Sequence, residues 1–124
     1  MNVQLFGTKK CAESRKAERF FKERGVKLHV VDLGQKGMSA GELRNVAARV
    51  GGMEALIDRE GKRYADRGLR HMAPTGPRVE QALVDDPLLL RTPIVRADGR
   101  ATVGYAPEVW QRWIDEGRAG GSLG

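Results

Sequence analysis

Hydrophobic and polar positions follow two different periods along the chain. Short apolar or alternating runs predict strands at residues 2–6, 28–33, 94–96 and 100–104. Apolar residues at helical spacing predict helices over residues 11–24, 39–50 and 79–84, and another from residue 106 onward. The order is therefore strand, helix, strand, a helical block, a hairpin and a final helix.

Turn and capping residues support these boundaries. Gly25 stands where a helix ends in the left-handed conformation, and Ser39 followed by Glu42 forms a capping box. Asp98-Gly99 predicts a tight hairpin turn between two strands. Pro77 begins the helix that ends before Asp85.

This element order predicts an α/β fold. A short strand–helix–strand unit implies a parallel pair with a right-handed crossover. The hairpin adds two strands, which gives a four-stranded mixed sheet with an all-helical insert over about residues 35–86. That is the thioredoxin-like arrangement, in which the end of the first strand lies beside the loop before the hairpin. Cys11 and Thr92-Pro93 are then expected to meet in space.

The length of 124 residues suits one domain, which we expect to span residues 1–117 and to be followed by a flexible, glycine-rich tail at 118–124. A single cysteine excludes an internal disulfide. We find no signal-like run and no stretch that could span a bilayer, so we expect a cytoplasmic protein without membrane contact.

The net charge of +6 favours anionic partners such as oxyanions, glutathione or an acidic protein face. The basic residues are scattered among acids and are not interleaved with aromatic residues, which argues against nucleic-acid binding. We expect no metal site, because His29 has no second ligand at metal spacing. His29 is predicted to lie on a sheet face, His71 in a solvent-facing loop, and Trp110 and Trp113 in the core.

Cys11 is the candidate for chemistry. It stands at a helix start, where free N–H groups and the helix dipole favour a thiolate. Lys9, Lys10 and Arg15 add positive charge, so we expect a lowered Cys11 pKa and a nucleophilic thiol. The alternative is that this lone cysteine is a small buried hydrophobic residue.

Several motifs in this order resemble the arsenate reductase/Spx-like (ArsC-like) family of the thioredoxin fold over residues 2–116. The first is Cys11-Ala12-Glu13-Ser14-Arg15, similar to the family's Cys-x-x-Ser-Arg, and the second is Leu56-Ile57-Asp58-Arg59. The most specific are Leu89-Leu90-Arg91-Thr92-Pro93-Ile94-Val95 and Val103-Gly104-Tyr105-x-x-Glu108.

The resemblance implies that Cys11 is the nucleophile and that Arg15 and Arg59 hold an anionic substrate. Lys10 and Arg91 are expected to help attract it. Thr92-Pro93 resembles the residue and cis-proline pair whose backbone binds thiol peptides in such enzymes. Ser14 is either a hydrogen-bond donor to the Cys11 thiolate or simply a residue of the first helical turn.

Three positions depart from the family. Thr92 stands where the family usually has an arginine before the proline, and Tyr105 stands where arsenate reductases have a further arginine. Arg91 should not simply substitute, because neighbouring residues in extended backbone point to opposite sides. Gly7 replaces a histidine that some members have four residues before the cysteine. These departures weaken the expected capture of arsenate.

Three functional hypotheses follow. The first is a thiol-dependent oxidoreductase with one nucleophilic cysteine, no bound cofactor, and glutathione or a glutaredoxin-like reductant. The second is an arsenate reductase proper, using glutathione and glutaredoxin. The third is a non-enzymatic Spx-like regulator that binds an acidic partner such as RNA polymerase. Ser14 occupies the second position of the Spx-type Cys-x-x-Cys switch, so an intramolecular disulfide switch is impossible.

Overall fold

The computed structural model describes residues 1–66 and 77–123, with the backbone alone for residues 118–123. The strands are β1 (Asn2–Gly7), β2 (Lys27–Asp32), β3 (Ile94–Ala97) and β4 (Arg100–Val103). The α-helices are α1 (Ala12–Glu23), α2 (Ala40–Val50), α3 (Lys62–Asp66), α4 (Pro77–Asp85) and α5 (Pro107–Leu123). Two 3-10 turns, Met53–Leu56 and Pro87–Leu89, complete these elements.

The four strands form one mixed sheet in the order β2-β1-β3-β4. Strand β1 pairs in parallel with β2 and antiparallel with β3, and β3 and β4 form the hairpin. This confirms the predicted four-stranded mixed sheet and its thioredoxin-like arrangement. The C-terminal end of β1, which leads to Cys11, therefore lies beside the N-terminal end of β3, which follows Thr92-Pro93.

Each face of the sheet has its own hydrophobic core. Helices α1 and α5 cover one face, where the buried aromatic residues are Phe20, Phe21, Trp110 and Trp113. Helices α2 and α4 cover the other, packing Leu43, Val46, Val79 and Leu83 against Phe6 and Ile94. The predicted core placement of both tryptophans is confirmed, and Trp110 also donates a hydrogen bond to the Thr102 hydroxyl at 2.8 Å.

The caps form as the sequence predicts. Gly25 has φ +68° directly after α1, a left-handed conformation that glycine adopts without steric cost. The Ser39 hydroxyl accepts from the backbone N–H of Glu42, and the Glu42 carboxylate accepts from that of Ser39. In the described part of the insert, residues 35–66 and 77–86, the elements are helices and 3-10 turns, with an isolated bridge joining Ile57 to Leu90.

The chain's remaining boundary predictions have different outcomes. Helix α5 continues to Leu123, beyond the predicted domain end at residue 117, and the flexibility of the tail stays a prediction. His71 and most of the predicted loop 70–77 lie outside the described residues. Across residues 1–66 and 77–123, no helix is both long and apolar enough to cross a membrane.

Candidate active site

Cys11 lies at the junction of β1 and α1, where a short loop turns the chain. It is the N-cap residue of α1, with extended φ and ψ of −82° and 115°. Its N–H donates to the Thr8 carbonyl at 3.2 Å, and its carbonyl accepts from the N–H of Arg15 at 3.2 Å. The loop is thereby closed on itself, and the thiol stays partly accessible.

The loop before the hairpin, although far from Cys11 in sequence, lies beside it in the fold. The Cys11 Sγ lies 3.9 Å from the Thr92 carbonyl oxygen, and the Thr92-Pro93 bond is cis. The predicted meeting of Cys11 with Thr92-Pro93 is confirmed. Pro93 is buried, and its carbonyl accepts from the N–H of Gly104 at 2.9 Å, which fixes the loop to the hairpin.

The pKa of the Cys11 thiol lies below its ordinary value. Partial burial raises this pKa, but hydrogen bonds to the thiolate outweigh it. These come first from the hydroxyls of Ser14 and Thr92, and then from the backbone N–H groups of Ser14 and Glu13. The two N–H groups belong to the first turn of α1, where helix donors lack intrahelical acceptors.

Ser14 has an unusual environment for a hydroxyl. It is the buried polar residue of α1, and among the described residues its Oγ has no hydrogen-bond partner of normal geometry while Cys11 is a neutral thiol. Buried polar groups are nearly always paired. Ionisation of Cys11 supplies an acceptor for this hydroxyl, which explains why Ser14 favours the charged form.

The cations predicted to activate Cys11 have other positions. The Arg15 guanidinium donates to the Lys9 carbonyl at 2.6 Å, and both residues line a cavity of about 330 Å³ that Cys11 does not line. Lys10 is exposed on the loop. Hydrogen bonds to the sulfur lower the Cys11 pKa, and charge from Lys9, Lys10 or Arg15 is not among its causes. The Arg15 guanidinium turns to the Lys9 carbonyl instead.

Arg59 and Arg91 are brought together, although they are distant in sequence. Both line a cavity of about 460 Å³ beside the 3-10 turn Met53–Leu56. Arg59 is only loosely paired with Glu54, at 3.8 Å, and both side chains are exposed. The lining also holds Glu54, Asp58 and Glu60, so its charge is mixed, and the two arginines are the groups in it that could bind an anion. Cys11 does not belong to this lining.

Gly104 and the Arg91 side chain are close neighbours. A Cβ atom at Gly104, whose φ is +87°, would approach the Arg91 guanidinium to 2.9 Å. A side chain at position 104 would therefore force the arginine to shift, and the positive φ itself favours glycine. The next residue, Tyr105, is exposed and packs edge-on against Trp110 at 5.6 Å between ring centroids, so it supplies no positive charge to the site.

Gly7 and Ser14 are in a contact that the sequence does not predict. A Cβ atom on Gly7 would lie 2.5 Å from the Ser14 Oγ, so the glycine makes room for this hydroxyl. The signal was a glycine at the end of β1 seven residues before a buried serine, but only the folded loop brings the two together.

Within residues 1–66 and 77–123, no group of three or more His, Cys, Asp or Glu side chains could hold a metal ion.

Comparisons with known proteins agree with this geometry. Residues 6–113 match the model of the ArsC family. Over 108 residues the chain is 31% identical to the uncharacterised protein YfgD of Escherichia coli K12, covering 86% of this chain and 91% of YfgD.

Two further relatives carry a functional name. An arsenate reductase of Neisseria meningitidis is 30% identical over 107 residues, covering 82% of this chain and 89% of that protein. The solved structure of an arsenate reductase from Vibrio cholerae aligns with a TM-score of 0.77 and 24% identity, covering 87% of this chain and 93% of that one. The similarity to the Vibrio cholerae structure, at 24% identity, supports the fold alone.

Proposed function

The chain belongs to the ArsC family and is arsenate reductase-like, and we propose that it is a thiol-dependent oxidoreductase. Cys11 is the nucleophile, and an external thiol such as glutathione completes the cycle. The observation that carries the proposal is the environment of Cys11. Its thiol is partly accessible, has a lowered pKa, and lies 3.9 Å from the carbonyl before a cis-proline.

The reaction requires two thiol–disulfide exchanges. The Cys11 thiolate attacks one sulfur of a disulfide substrate, forming a mixed disulfide and expelling the other sulfur as a thiolate. A glutathione thiolate then attacks the sulfur bound to Cys11. This second step releases an oxidised disulfide and regenerates the Cys11 thiolate, so one disulfide is reduced while external thiols are oxidised.

The surrounding residues have distinct roles in this proposal. The hydroxyls of Ser14 and Thr92 stabilise the Cys11 thiolate, and the Thr92 backbone offers an extended edge to a thiol peptide. Arg59 and Arg91 attract the carboxylates of a glutathione-containing substrate. Lys10, which is exposed and next to Cys11 in sequence, adds positive charge that attracts the same carboxylates.

The resolving thiol must come from outside the chain. Cys11 is the single cysteine of the sequence, so no second thiol can release the mixed disulfide. A cytoplasmic location would supply this thiol, because the cytoplasm keeps thiols reduced. In this proposal the enzyme holds no bound cofactor and uses glutathione or a glutaredoxin-like protein as reductant.

Arsenate reduction proper is the second candidate. The observation in its favour is the pair of arginines, Arg59 and Arg91, in one cavity, together with 30% identity to an arsenate reductase. Against it, Thr92 and Tyr105 stand where the family places arginines, so a tetrahedral oxyanion would have fewer bidentate donors.

An assay panel separates these candidates. Wild type and Cys11→Ser are each given a glutathione mixed disulfide, a small uncharged disulfide, or arsenate with glutaredoxin, and glutathione consumption is followed. We expect turnover of the mixed disulfide by wild type alone. Turnover restricted to arsenate would favour the second candidate. No turnover in any arm, with RNA polymerase retained by both variants, would support a Spx-like binding role.

A further inference from the structure

A row of polar side chains crosses the sheet at the end opposite to Cys11. Gln4 on β1 is in register with His29 on β2 and with Arg96 on β3. Residues that pair directly across strands share a face of the sheet. These three side chains therefore form one continuous polar row, which we call the Gln4 row.

The Gln4 row lies where this face of the sheet changes from apolar to polar, since Asn2 and Lys27 pair two residues before Gln4 and His29. Two residues nearer the Cys11 end of each strand, and so on the same face, lie Phe6, Val31 and Ile94, which pack beneath α2 and α4. Strands β1 and β3 are the two inner strands, where covered positions are normally apolar. Packing of the core does not explain a glutamine and an arginine at these positions.

The row forms the floor of a cavity of about 630 Å³. Asn45 of α2 and the β3–β4 turn are among its walls. The turn is held in place, because the Arg49 guanidinium of α2 donates to the Gly99 carbonyl. Asp98 and Gly99 both have positive φ, 49° and 80°, as a tight two-residue hairpin turn requires. The cavity is thus built from fixed elements.

The lining is positively charged. Lys27, Arg96 and Arg100 outnumber the one acid, Asp98. Arg100 is paired with Glu116 outside the cavity. Arg96 has only a loose ion pair, 3.8 Å from Glu42, and keeps 26% of its side chain exposed. Lys27 makes no ion pair with any residue that the structure describes. Two cations are therefore available to an anion in this cavity.

Neutral donors and acceptors accompany these charges. The side-chain amides of Gln4 and Asn45 make no hydrogen bond to another side chain or backbone group within residues 1–66 and 77–117. An amide offers both a donor and an acceptor. Such groups suit a ligand that carries hydroxyl or ring nitrogen atoms besides its negative charge.

We infer that this cavity binds a phosphate-bearing small molecule with a polar body, of the size of a mononucleotide or sugar phosphate. Arg96 and Lys27 bind the phosphate, because guanidinium and ammonium groups are its usual partners. Gln4 and Asn45 bind the polar body. The volume lies within the usual range for small-molecule sites. The site is independent of the Cys11 chemistry and lies at the other end of β1.

Isotope-labelled full-length protein titrated with adenosine 5′-monophosphate tests this inference by NMR. We expect saturable shifts of the backbone amides around Gln4, His29 and residues 96–100, with little change at Cys11. Ribose 5-phosphate should act at the same amides if the phosphate and sugar suffice, whereas adenosine, which lacks the phosphate, should bind much more weakly. Shifts that do not saturate, or that centre on the Cys11 loop, would overturn the inference.

Two variants localise the binding. Arg96→Gln and Lys27→Gln should each weaken binding by about tenfold, because each removes a charged hydrogen-bond donor. Arg19→Gln removes an exposed cation of α1, which packs on the other face of the sheet and does not line this cavity, and should leave the affinity unchanged. Lys27 is exposed, so its variant tests the site even if Arg96→Gln is poorly folded. Equal loss in Lys27→Gln and Arg19→Gln would show a general charge effect and contradict the inference.

The alkylation rate of Cys11 should stay at the wild-type value in the Lys27 variant, which separates this test from the proposed oxidoreductase function.

Discussion

Gly7 and Ser14 share one small space beside the candidate nucleophile. A Cβ atom on Gly7 would lie 2.5 Å from the Ser14 Oγ and 2.8 Å from its Cβ. Real Cβ atoms do not approach so closely, so a side chain at position 7 and the present Ser14 position exclude each other. The glycine therefore keeps the buried hydroxyl where the Cys11 thiolate can accept its hydrogen bond.

Gly7→Ala is expected to disturb both stability and the thiol. Overpacking should reduce the free energy of unfolding by about 1–3 kcal/mol, as measured by chemical denaturation. Displacement of Ser14 should raise the Cys11 pKa and slow its reaction with a disulfide reagent near neutral pH. Gly117→Ala is the matched control: a Cβ there meets nothing within 4 Å, so this helical position should gain about 0.5–1 kcal/mol and leave the thiol unchanged.

Ser14→Ala should separate the role of the hydroxyl from its packing. The change removes a donor to the thiolate, so the Cys11 pKa should rise, as followed by the ultraviolet absorbance of the thiolate. It also removes a buried hydroxyl without a partner in the thiol form, so the melting temperature at low pH should not fall.

Ser39→Ala is the control for Ser14→Ala. It deletes the N-cap of α2 and should cost about 1 kcal/mol of stability without altering the Cys11 pKa. If Ser14→Ala lost stability and kept the wild-type pKa, Ser14 would be a structural residue of the first helical turn.

Stability should depend on pH through Cys11. Its pKa is lowered in the folded state, so below that value both states carry the proton and the group contributes nothing. As pH rises above the folded pKa, the unfolded chain retains the proton that the folded one has lost, and folding becomes more favourable. The gain is complete above the unfolded value of about 8.5.

Denaturation of wild type and Cys11→Ser from about pH 6 to about pH 9 measures this gain. The difference in unfolding free energy should grow in favour of wild type as pH rises. A difference that stays constant across this range would show that the fold does not favour the thiolate.

Arg59→Gln and Arg91→Gln should act on substrate charge. Each should lower kcat/KM for a glutathione mixed disulfide by about tenfold, because a charged donor to a carboxylate is lost. Turnover of an uncharged disulfide should change little. Arg19→Gln, on the exposed face of α1, is the control for net charge, and loss of activity towards both substrates would place the arginines in a structural role instead.

Much of the fold can be predicted from the sequence because hydrophobic periodicity, helix caps and turns depend on residues close together in the chain. The capping box at Ser39 and the turn at Asp98-Gly99 are set by residues a few positions apart, and both form as predicted. The meeting of Cys11 with Thr92 was also predictable, because the strand order fixes which loops share an edge of the sheet.

The details of the site depend on side-chain directions that the sequence does not specify. Arg15 was expected to act on Cys11, but its guanidinium turns to the Lys9 carbonyl, which the loop presents only once folded. Arg91 shares a cavity with Arg59, and its guanidinium lies close to Gly104 in the hairpin. Such contacts join residues distant in sequence, and neither spacing nor composition indicates them.

The central claim is that the fold makes Cys11 a thiolate at lower pH than a free cysteine. The pH dependence of iodoacetamide alkylation tests it directly, since Cys11 is the one thiol in the chain. We expect the alkylation rate to reach half its maximum at a pH below about 8.5, the value typical of a free thiol, and this midpoint to rise in Ser14→Ala. A wild-type profile that follows a free thiol, unchanged by that substitution, would contradict it.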